Sequence, residues 1–402
     1  MHGISLCMIV KNEEKGIERA IKSAKGFARE IIVVDTGSSD NTVQLAQKAG
    51  AQVYFYEWNN DFSAARNFSV SKAGCDWIFV LDADETIALK DVSLICHAIE
   101  DESADAYMMQ QRNYSNCVEA EGWVADNGEY AESNGFAGYF DIPVVRLFRN
   151  NSKIFFEGVV HEAVLDSLRG LKKKFLDIPI HHFSSFDDQP LQEEKKSFYT
   201  FLLHKALDKN PEDEKNCILL GRQYYSLGEF KEAIFYLRKV ILAGTRSEMA
   251  YDNLASAYLH LGSLEESRDV LEALLKINPR YAEAYVTLGV VYSSLGYESK
   301  AIDTLQRAVG LAPLSFKAQF NLAAAFYRQK NYNEALKAII KAEELVPTMP
   351  RVFYLKFYIL FNLKMADDAF KCACKLKELD KNLYEKIKDK VSSLEFRDRV
   401  SK

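Results

Sequence analysis

Four equivalent sequence blocks recur at intervals of 34 residues in the second half of this 402-residue chain. The blocks begin at the pairs Leu220-Gly221, Leu254-Ala255, Leu288-Gly289 and Leu322-Ala323. An aromatic residue stands four positions into each block, and a proline recurs at Pro279, Pro313 and Pro347. A repeat of this length is too short to bury a core of its own, so the pattern predicts helix pairs stacked on one another.

A 34-residue period with small residues, aromatics and a terminal proline is the tetratricopeptide signature. Small residues let the two helices of a repeat approach each other, and proline ends the second helix. We therefore predict an all-α tetratricopeptide solenoid over residues 189–402, with a partial repeat before Pro211 and a degenerate last repeat over residues 352–379. Such an array predicts a concave surface for a peptide or protein, or a contact for homo-oligomerisation. A purely structural extension is the alternative.

The first half of the chain alternates short apolar runs with segments of helical period. The apolar runs are Ile4 to Val10 and residues 31–34, 52–56 and 78–81. Strands that alternate with helices predict a parallel, doubly wound sheet, here over residues 1–188. Ligands of such sheets bind at the carboxyl ends of the strands.

Three acidic residues fall at those strand ends. Asp35 follows the second apolar run, and Asp82 and Asp84 follow the fourth. Residues i and i+2 of an extended chain face the same side, so Asp82 and Asp84 can project together. Because two carboxylates held together repel each other, a cation between them is favourable. The pattern predicts a site for Mg²⁺ or Mn²⁺ beside a phosphate-bearing ligand, with an acidic turn as the alternative.

Four ordered motifs carry a resemblance to a known family. They are Ser5 to Glu14 (SLCMIVKNEE), residues 31–42 (IIVVDTGSSDNT), residues 58–67 (WNNDFSAARN) and residues 77–85 (WIFVLDADE). Over roughly the first 190 residues the chain resembles the family 2 glycosyltransferases, whose fold is the α/β GT-A nucleotide-sugar-binding domain. The resemblance implies a nucleotide-sugar donor, a divalent metal and inversion at the anomeric carbon.

By matching position, the resemblance also implies roles for individual residues. Asp35 would hold the nucleobase, Arg66 would contact the nucleotide, Asp82 would contact the ribose or the metal, and Asp84 would be the direct metal ligand of the D-x-D motif. A leaving nucleoside diphosphate accumulates negative charge, which a cation and a guanidinium group can stabilise. A UDP-sugar is the first candidate donor. The alternatives are a turn-forming Asp35 beside Gly37 and a surface position for Arg66.

An inverting transfer needs a base on the acceptor hydroxyl. Enzymes of the resembled family often carry a His-Glu pair facing the donor sugar, so Glu162 is the first candidate base and His161 the second, with Asp141 as a further alternative. A late histidine commonly completes the metal site in this family, and His182 or His181 matches that location. An imidazole ligand would favour Mn²⁺ over Mg²⁺.

The segment from Cys117 to Asp141 contains six acidic residues and no Lys or Arg. Long irregular segments in enzymes often form lids or binding loops. We predict an acceptor-side loop of negative potential, suited to a cationic acceptor such as a basic peptide. A solvated connecting loop is the alternative.

The composition narrows the class of protein. A net charge of −6 gives no general attraction to nucleic acid. No apolar run approaches the roughly 20 residues that span a bilayer, and the N-terminus lacks signal-peptide features. Seven scattered cysteines favour a reducing compartment, so a cytoplasmic location is expected.

The combined prediction is a metal-dependent inverting glycosyltransferase whose repeats recruit a peptide or protein acceptor. The two-part arrangement resembles bacterial peptide glycosyltransferases, including those that glycosylate a bacteriocin cysteine. It also resembles glucosyltransferases of the lipopolysaccharide core, so a saccharide acceptor is the first alternative. A non-catalytic tetratricopeptide scaffold is the second alternative, although the presence of Asp35, Asp82 and Asp84 argues against it.

Overall fold

Nine strands within the described part of the first half form one twisted sheet. The strands are β1 (Ile4–Val10), β2 (Ala28–Asp35), β3 (Gln52–Phe55), β4 (Trp77–Val80), β5 (Glu85–Thr86), β6 (Ala106–Ser115), β7 (Val124–Ala125), β8 (Gly138–Arg149) and β9 (Lys173–His182). Their order is β3-β2-β1-β4-β8-β6-β9-β5, and β7 pairs with β8 at the side. The computed structural model describes residues 3–116, 123–183 and 189–393.

The predicted parallel arrangement holds for the first four strands, because β1 pairs in parallel with β2 and β4, and β2 with β3. Helices α1 (Ile17–Ala24), α2 (Thr42–Lys48) and α3 (Phe62–Val70) connect these strands. Alternate strand residues enter two separate cores: Leu6 and Phe79 pack in one, and Cys7 and Ile78 in the other. Burial on both faces explains why these strands read as continuous apolar runs.

The other half of the sheet departs from the prediction of a wholly parallel sheet. β8 runs antiparallel to both β4 and β6, while β9 runs parallel to β6. A parallel neighbour needs a long crossover connection, usually a helix. Between β6 and β9 the described residues contain no α-helix, so the chain returns antiparallel there. Helix α4 (Val92–Ala98) precedes β6.

Short strand β5 brings two distant motifs together. It follows the D-x-D segment and pairs antiparallel with the end of β9, with Glu85 opposite His182. The Phe183 amide also donates to the Asp84 carbonyl at 3.0 Å. The late histidines therefore lie beside the acidic residues that follow β4.

By packing, the chain divides into two compact units, Met1–Pro211 and Glu212–Lys402. The first unit includes a long helix, α5 (Gln189–Lys209). The boundary that we drew at residues 188/189 marks the start of this helix and the end of the β pattern. The packing boundary lies later because α5 packs within the first unit.

The second unit is all-α over its described residues, 212–393, as the repeat pattern predicts. Its helices are α6 (Glu214–Ser226), α7 (Phe230–Leu242), α8 (Glu248–His260), α9 (Leu264–Ile277), α10 (Ala282–Ser294), α11 (Glu298–Leu311), α12 (Phe316–Arg328), α13 (Tyr332–Leu345), α14 (Pro350–Asn362), α15 (Ala366–Leu379) and α16 (Lys381–Glu385). The repeat prolines come after the ends of α9, α11 and α13. The predicted degenerate last repeat is the pair α14 and α15.

Close helix packing accounts for the small residues of the repeats. A Cβ added at Gly221 would lie 2.5 Å from Leu237, and one added at Gly289 would lie 2.4 Å from Leu305. Neither distance is tolerable for carbon atoms, so the two helices of a repeat could not keep this separation with a larger residue.

In the described residues, no helix is both long and apolar enough to cross a membrane.

Candidate active site

Asp84 and His182 face each other at the carboxyl end of the parallel strands. The His182 Nε2 atom lies 3.2 Å from Asp84 Oδ2, and His182 Nδ1 lies 2.6 Å from Asn113 Oδ1. The side-chain Nδ2 atom of Asn113 donates to the Gln111 carbonyl at 3.0 Å. This hydrogen bond orients the side-chain oxygen of Asn113 towards His182. An amide oxygen only accepts, so Nδ1 of His182 carries the hydrogen, and in the neutral ring Nε2 presents a lone pair to Asp84.

A lone pair and a carboxylate at this distance need a proton or a cation between them. Burial opposes protonation of His182, but the hydrogen bond to Asp84 and the charges of Asp84 and Glu85 outweigh it and raise the pKa of the imidazole. One nitrogen and one carboxylate fit Mn²⁺ better than Mg²⁺. The described residues contain no cluster of three His, Cys, Asp or Glu side chains with metal-binding spacing. A cation held here would complete its shell with ligand oxygens and water.

Asp82 is held by two guanidinium groups. One carboxylate oxygen accepts from Arg66 Nη2, and the other accepts from Arg146 Nη2 at 2.9 Å. Burial alone would raise the pKa of Asp82, but the two cations lower it well below its usual range. Asp82 is therefore ionised at any physiological pH. Its proposed contact with ribose or metal stays a prediction, because both oxygens already accept from arginine.

Arg66 lies inside the protein, contrary to the surface alternative. It sits on α3, whose first turn is capped by Asp61, and its side chain is 6% exposed. Its Nε atom donates to Glu162 Oε1 at 3.0 Å while Nη2 pairs with Asp82. Its Nη1 atom has no hydrogen-bond partner among the described residues. A buried donor of this kind can serve a ligand.

Arg146 and Glu85 belong to the candidate site by their contacts, and we did not predict them. Glu85 is fully buried, and its carboxylate accepts from Arg146 at 2.7 Å, from Gln111 Nε2 at 2.5 Å and from the Asp82 amide at 2.9 Å. These contacts fix the backbone of the D-x-D segment. The sequence did contain a signal, because an arginine lies inside the apolar run 144–148. A charged side chain in a buried strand needs a buried partner.

Asp35 occupies the carboxyl end of β2, as predicted. It is buried, and its Oδ2 atom accepts from the amides of Gly37 at 3.0 Å and Ser38 at 3.1 Å. The turn alternative therefore describes its contacts in the structure. Gly37 has a φ of +108°, which favours glycine. The nucleobase contact of Asp35 stays a prediction.

Glu13, in the first motif, lies close to the D-x-D carboxylates. Burial and the charge of Asp84 raise the pKa of Glu13 to about 7, and Lys195 opposes that rise. The close approach depends on Gly16, since a Cβ there would lie 2.4 Å from the Ala83 carbonyl oxygen. Burial first, and then the charge of Asp84, therefore favours the protonated form of Glu13.

The three candidate bases have different surroundings. Glu162 is 13% exposed and joins the D-x-D segment through Arg66. His161 has a left-handed backbone with a φ of +52°, and its ring lies 5.6 Å from that of Tyr199. Both oxygens of Asp141 accept from Arg112 at 3.1 Å. Of the three candidates, Glu162 is the one that the described contacts connect to Asp82.

His181 takes no part in the Asp84 pair. Its ring is fully buried, stacks on Tyr114 at 5.9 Å and places Nδ1 2.7 Å from the Tyr114 hydroxyl. Burial lowers the pKa of His181 to about 3. Of the two histidines left open by the sequence, His182 is the one that the structure brings to Asp84.

Part of the acidic segment, residues 117–122, lies outside the described residues. In the described part, Glu129 pairs with Lys90 at 3.1 Å and Asp141 pairs with Arg112. The Trp123 indole donates to the Ser115 carbonyl at 3.0 Å. Basic residues from elsewhere thus offset two of its acids, and an acceptor-side role stays a prediction.

Family comparisons match both parts of the chain. Residues 5–154 match the model described as glycosyl transferase family 2. Residues 282–313 and 299–350 match tetratricopeptide repeat models, and residues 196–274 match a model described as subunit 3 of the anaphase-promoting complex, cyclosome.

Curated relatives include one named for its TPR repeats and one named as a glycosyltransferase. A TPR repeat-containing protein of Synechococcus elongatus is 31% identical over 252 residues, or 61% of this chain and 58% of that protein. The SPbeta prophage-derived glycosyltransferase SunS of Bacillus subtilis is 28% identical over 244 residues, or 59% of this chain and 53% of that protein. The chain thus spans a little over half the length of these relatives.

Solved structures similar to part of the chain include MamA and YrrB. MamA is 27% identical with a TM-score of 0.36, over 40% of this chain and 95% of that chain. YrrB, described as a TPR protein with an unusual peptide-binding site, is 22% identical with a TM-score of 0.40, over 46% of this chain and 97% of that chain.

Proposed function

Because the chain contains a family 2 glycosyltransferase domain followed by tetratricopeptide repeats, we propose that it transfers a sugar from a nucleotide-sugar to a peptide or protein acceptor. The transfer is metal-dependent and inverts the anomeric carbon, and a UDP-sugar is the first candidate donor. The observation that carries the proposal is the Asp84–His182 pair at 3.2 Å, which lies where parallel strands end.

Asp84 and His182 would hold the metal ion, with Mn²⁺ preferred over Mg²⁺. The ion would supply positive charge to the diphosphate that leaves the sugar. Asp35, at the end of β2, would contact the nucleobase. Asp82, beside the Asp84–His182 pair, would contact the ribose. Arg66 offers its Nη1 donor to the nucleotide, and Arg146 with Glu85 keeps the D-x-D backbone in place.

Glu162 is the proposed base. The acceptor oxygen forms a bond to the anomeric carbon as the bond from that carbon to the diphosphate breaks, and Glu162 takes the acceptor proton. Support comes from its position, since Arg66 links Glu162 to Asp82 across the site. If the acceptor is a cysteine thiol, the base matters less because a thiol ionises far more readily than a hydroxyl.

The repeats support a peptide or protein acceptor, because arrays of this architecture present extended surfaces for such partners. The Bacillus relative is named a glycosyltransferase, which supports the same class of reaction. A saccharide acceptor remains the alternative within the enzyme class.

The test is transfer itself. The protein is incubated with Mn²⁺, a panel of UDP- and GDP-sugars and candidate peptides, and the peptides are analysed by intact mass. A peptide gaining one hexose mass from one donor supports the proposal. Donor turnover with an oligosaccharide acceptor and with none of the peptides would favour the saccharide alternative. If no donor is bound or turned over, the scaffold alternative replaces the enzyme.

A further inference from the structure

Helix α5 lies beyond the segment that matches the glycosyltransferase family, yet it places an aromatic residue at the candidate site. The ring of Tyr199 lies 5.6 Å from that of His161 and 6.0 Å from that of Phe62, nearly perpendicular to both. His161 precedes the candidate base, and Phe62 begins α3, which carries Arg66. Tyr199 therefore packs on the two segments that supply Glu162 and Arg66.

The electrostatic surroundings of Tyr199 agree with these ring contacts. Burial raises the pKa of the phenol, and the charges of Glu162, Asp82 and Asp84 raise it further. The carboxylates of the candidate site therefore act electrostatically on the Tyr199 phenol. Lys195, one turn earlier on α5, acts with opposite sign, because its positive charge lowers the pKa of Glu13. Two residues one turn apart on α5 thus interact electrostatically with acids of the candidate site.

The helix is anchored firmly enough to position this side chain. Leu202 and Leu203 follow Tyr199 and are almost completely buried. His161, the ring partner of Tyr199, has a left-handed backbone conformation with a φ of +52°. A non-glycine residue in that region is strained, so the surrounding contacts must maintain it. Strain of this kind is concentrated at functional sites.

We propose that Tyr199 contacts the sugar that is transferred. In an inverting displacement the base and the diphosphate lie on opposite sides of the anomeric carbon. Glu162 marks the first side and Asp84 with His182 marks the second, so the sugar ring lies between them. Tyr199 is the α5 residue that packs on the segments carrying Glu162 and Arg66, and it offers a hydroxyl for a sugar hydroxyl and a ring face for sugar C–H groups. This inference rests on the proposed function.

The test compares donor and nucleotide binding in two variants. Tyr199→Phe removes only the hydroxyl, and Tyr199→Ala removes the ring. Calorimetry with Mn²⁺ measures the affinities of UDP alone and of the UDP-sugar that binds best. We expect UDP-sugar affinity to fall about tenfold in Tyr199→Phe and about 100-fold in Tyr199→Ala, with UDP affinity unchanged. Phe201→Ala is the matched control, since Phe201 lies on the same helix and is 48% exposed.

The inference is overturned if both variants keep the UDP-sugar affinity of the unaltered protein. It is also overturned if UDP affinity falls as much as UDP-sugar affinity, because Tyr199 would then support the nucleotide site or the fold. A protein that binds UDP-sugar normally while Tyr199 variants show no loss leaves the proposed function intact. Absence of any donor binding in the unaltered protein would remove the proposed function and this inference together.

Discussion

Arg66 joins the candidate base to the D-x-D motif: its Nε atom donates to Glu162 Oε1 at 3.0 Å, and its Nη2 atom pairs with Asp82. One buried guanidinium thus bridges two carboxylates from distant segments. Arg146 adds a second positive charge by pairing with Asp82 and Glu85. Such a network is tolerable only when every member is present, because an unpaired buried charge is costly.

Replacing Arg66 by Met should destabilise the protein strongly. The change leaves Glu162 without its described cation and Asp82 with one cation fewer, and breaking a buried ion pair costs about 3–5 kcal/mol. Chemical denaturation monitored by circular dichroism gives the free energy of unfolding of the first unit. The control is Arg169→Met, because Arg169 is 84% exposed and pairs with Asp166 at the surface. A loss below about 1 kcal/mol for Arg66→Met would show that the network is not needed for stability.

Replacing Glu162 by Gln should slow transfer to a hydroxyl acceptor by a factor of about 10²–10⁴. Glutamine keeps the oxygen that accepts from Arg66 but cannot take the acceptor proton. The rate of product formation at saturating donor measures the effect. Asp141→Asn is made in parallel, and a larger loss in that variant would move the base assignment to Asp141. A small loss in Glu162→Gln with a thiol-bearing peptide would identify a cysteine acceptor.

Buried His181 should make the protein less stable in acid. Its folded-state pKa is lowered from 6.5 to about 3, so only the unfolded chain binds a proton in that range. Above pH 6.5 the neutral His181 ring costs no stability. As the pH decreases from 6.5 towards 3, the free energy of unfolding falls by roughly 4–5 kcal/mol in total.

Denaturation curves collected between pH 6.5 and 3 test this dependence. His181→Asn keeps an acceptor for the Tyr114 hydroxyl and removes the titrating ring, so its stability should fall less steeply with acid. His97→Asn is the control, because the His97 side chain is 86% exposed. Equal slopes for the unaltered protein and His181→Asn would contradict the prediction.

The sequence was sufficient where one local pattern determines the structure. The 34-residue period predicts the helix pairs from α6 to α15, since small residues, aromatics and prolines act within a single repeat. The ends of the parallel strands likewise predict where Asp35, Asp82 and Asp84 lie. These inferences need no knowledge of distant pairing.

Long-range pairing determined what the sequence could not show. Arg146 reaches Asp82 only because β8 lies antiparallel beside β4, and that pairing replaces the parallel arrangement we expected. His182 is chosen over His181 by the register of β9, since alternate residues of a strand face opposite sides. Tyr199 lies outside every motif. Its role depends on how α5 packs within the first unit.

Calorimetric titration of Asp84→Asn with donor, with and without Mn²⁺, tests the metal-dependent donor site most directly. Asparagine removes the charge that faces His182 while keeping the size of the side chain. We predict that the unaltered protein binds donor far more tightly with Mn²⁺ than without it. Asp84→Asn should lose that difference at an unchanged melting temperature, whereas Asp166→Asn, a surface control, should keep it. Unchanged Mn²⁺-dependent donor affinity in Asp84→Asn would contradict the account.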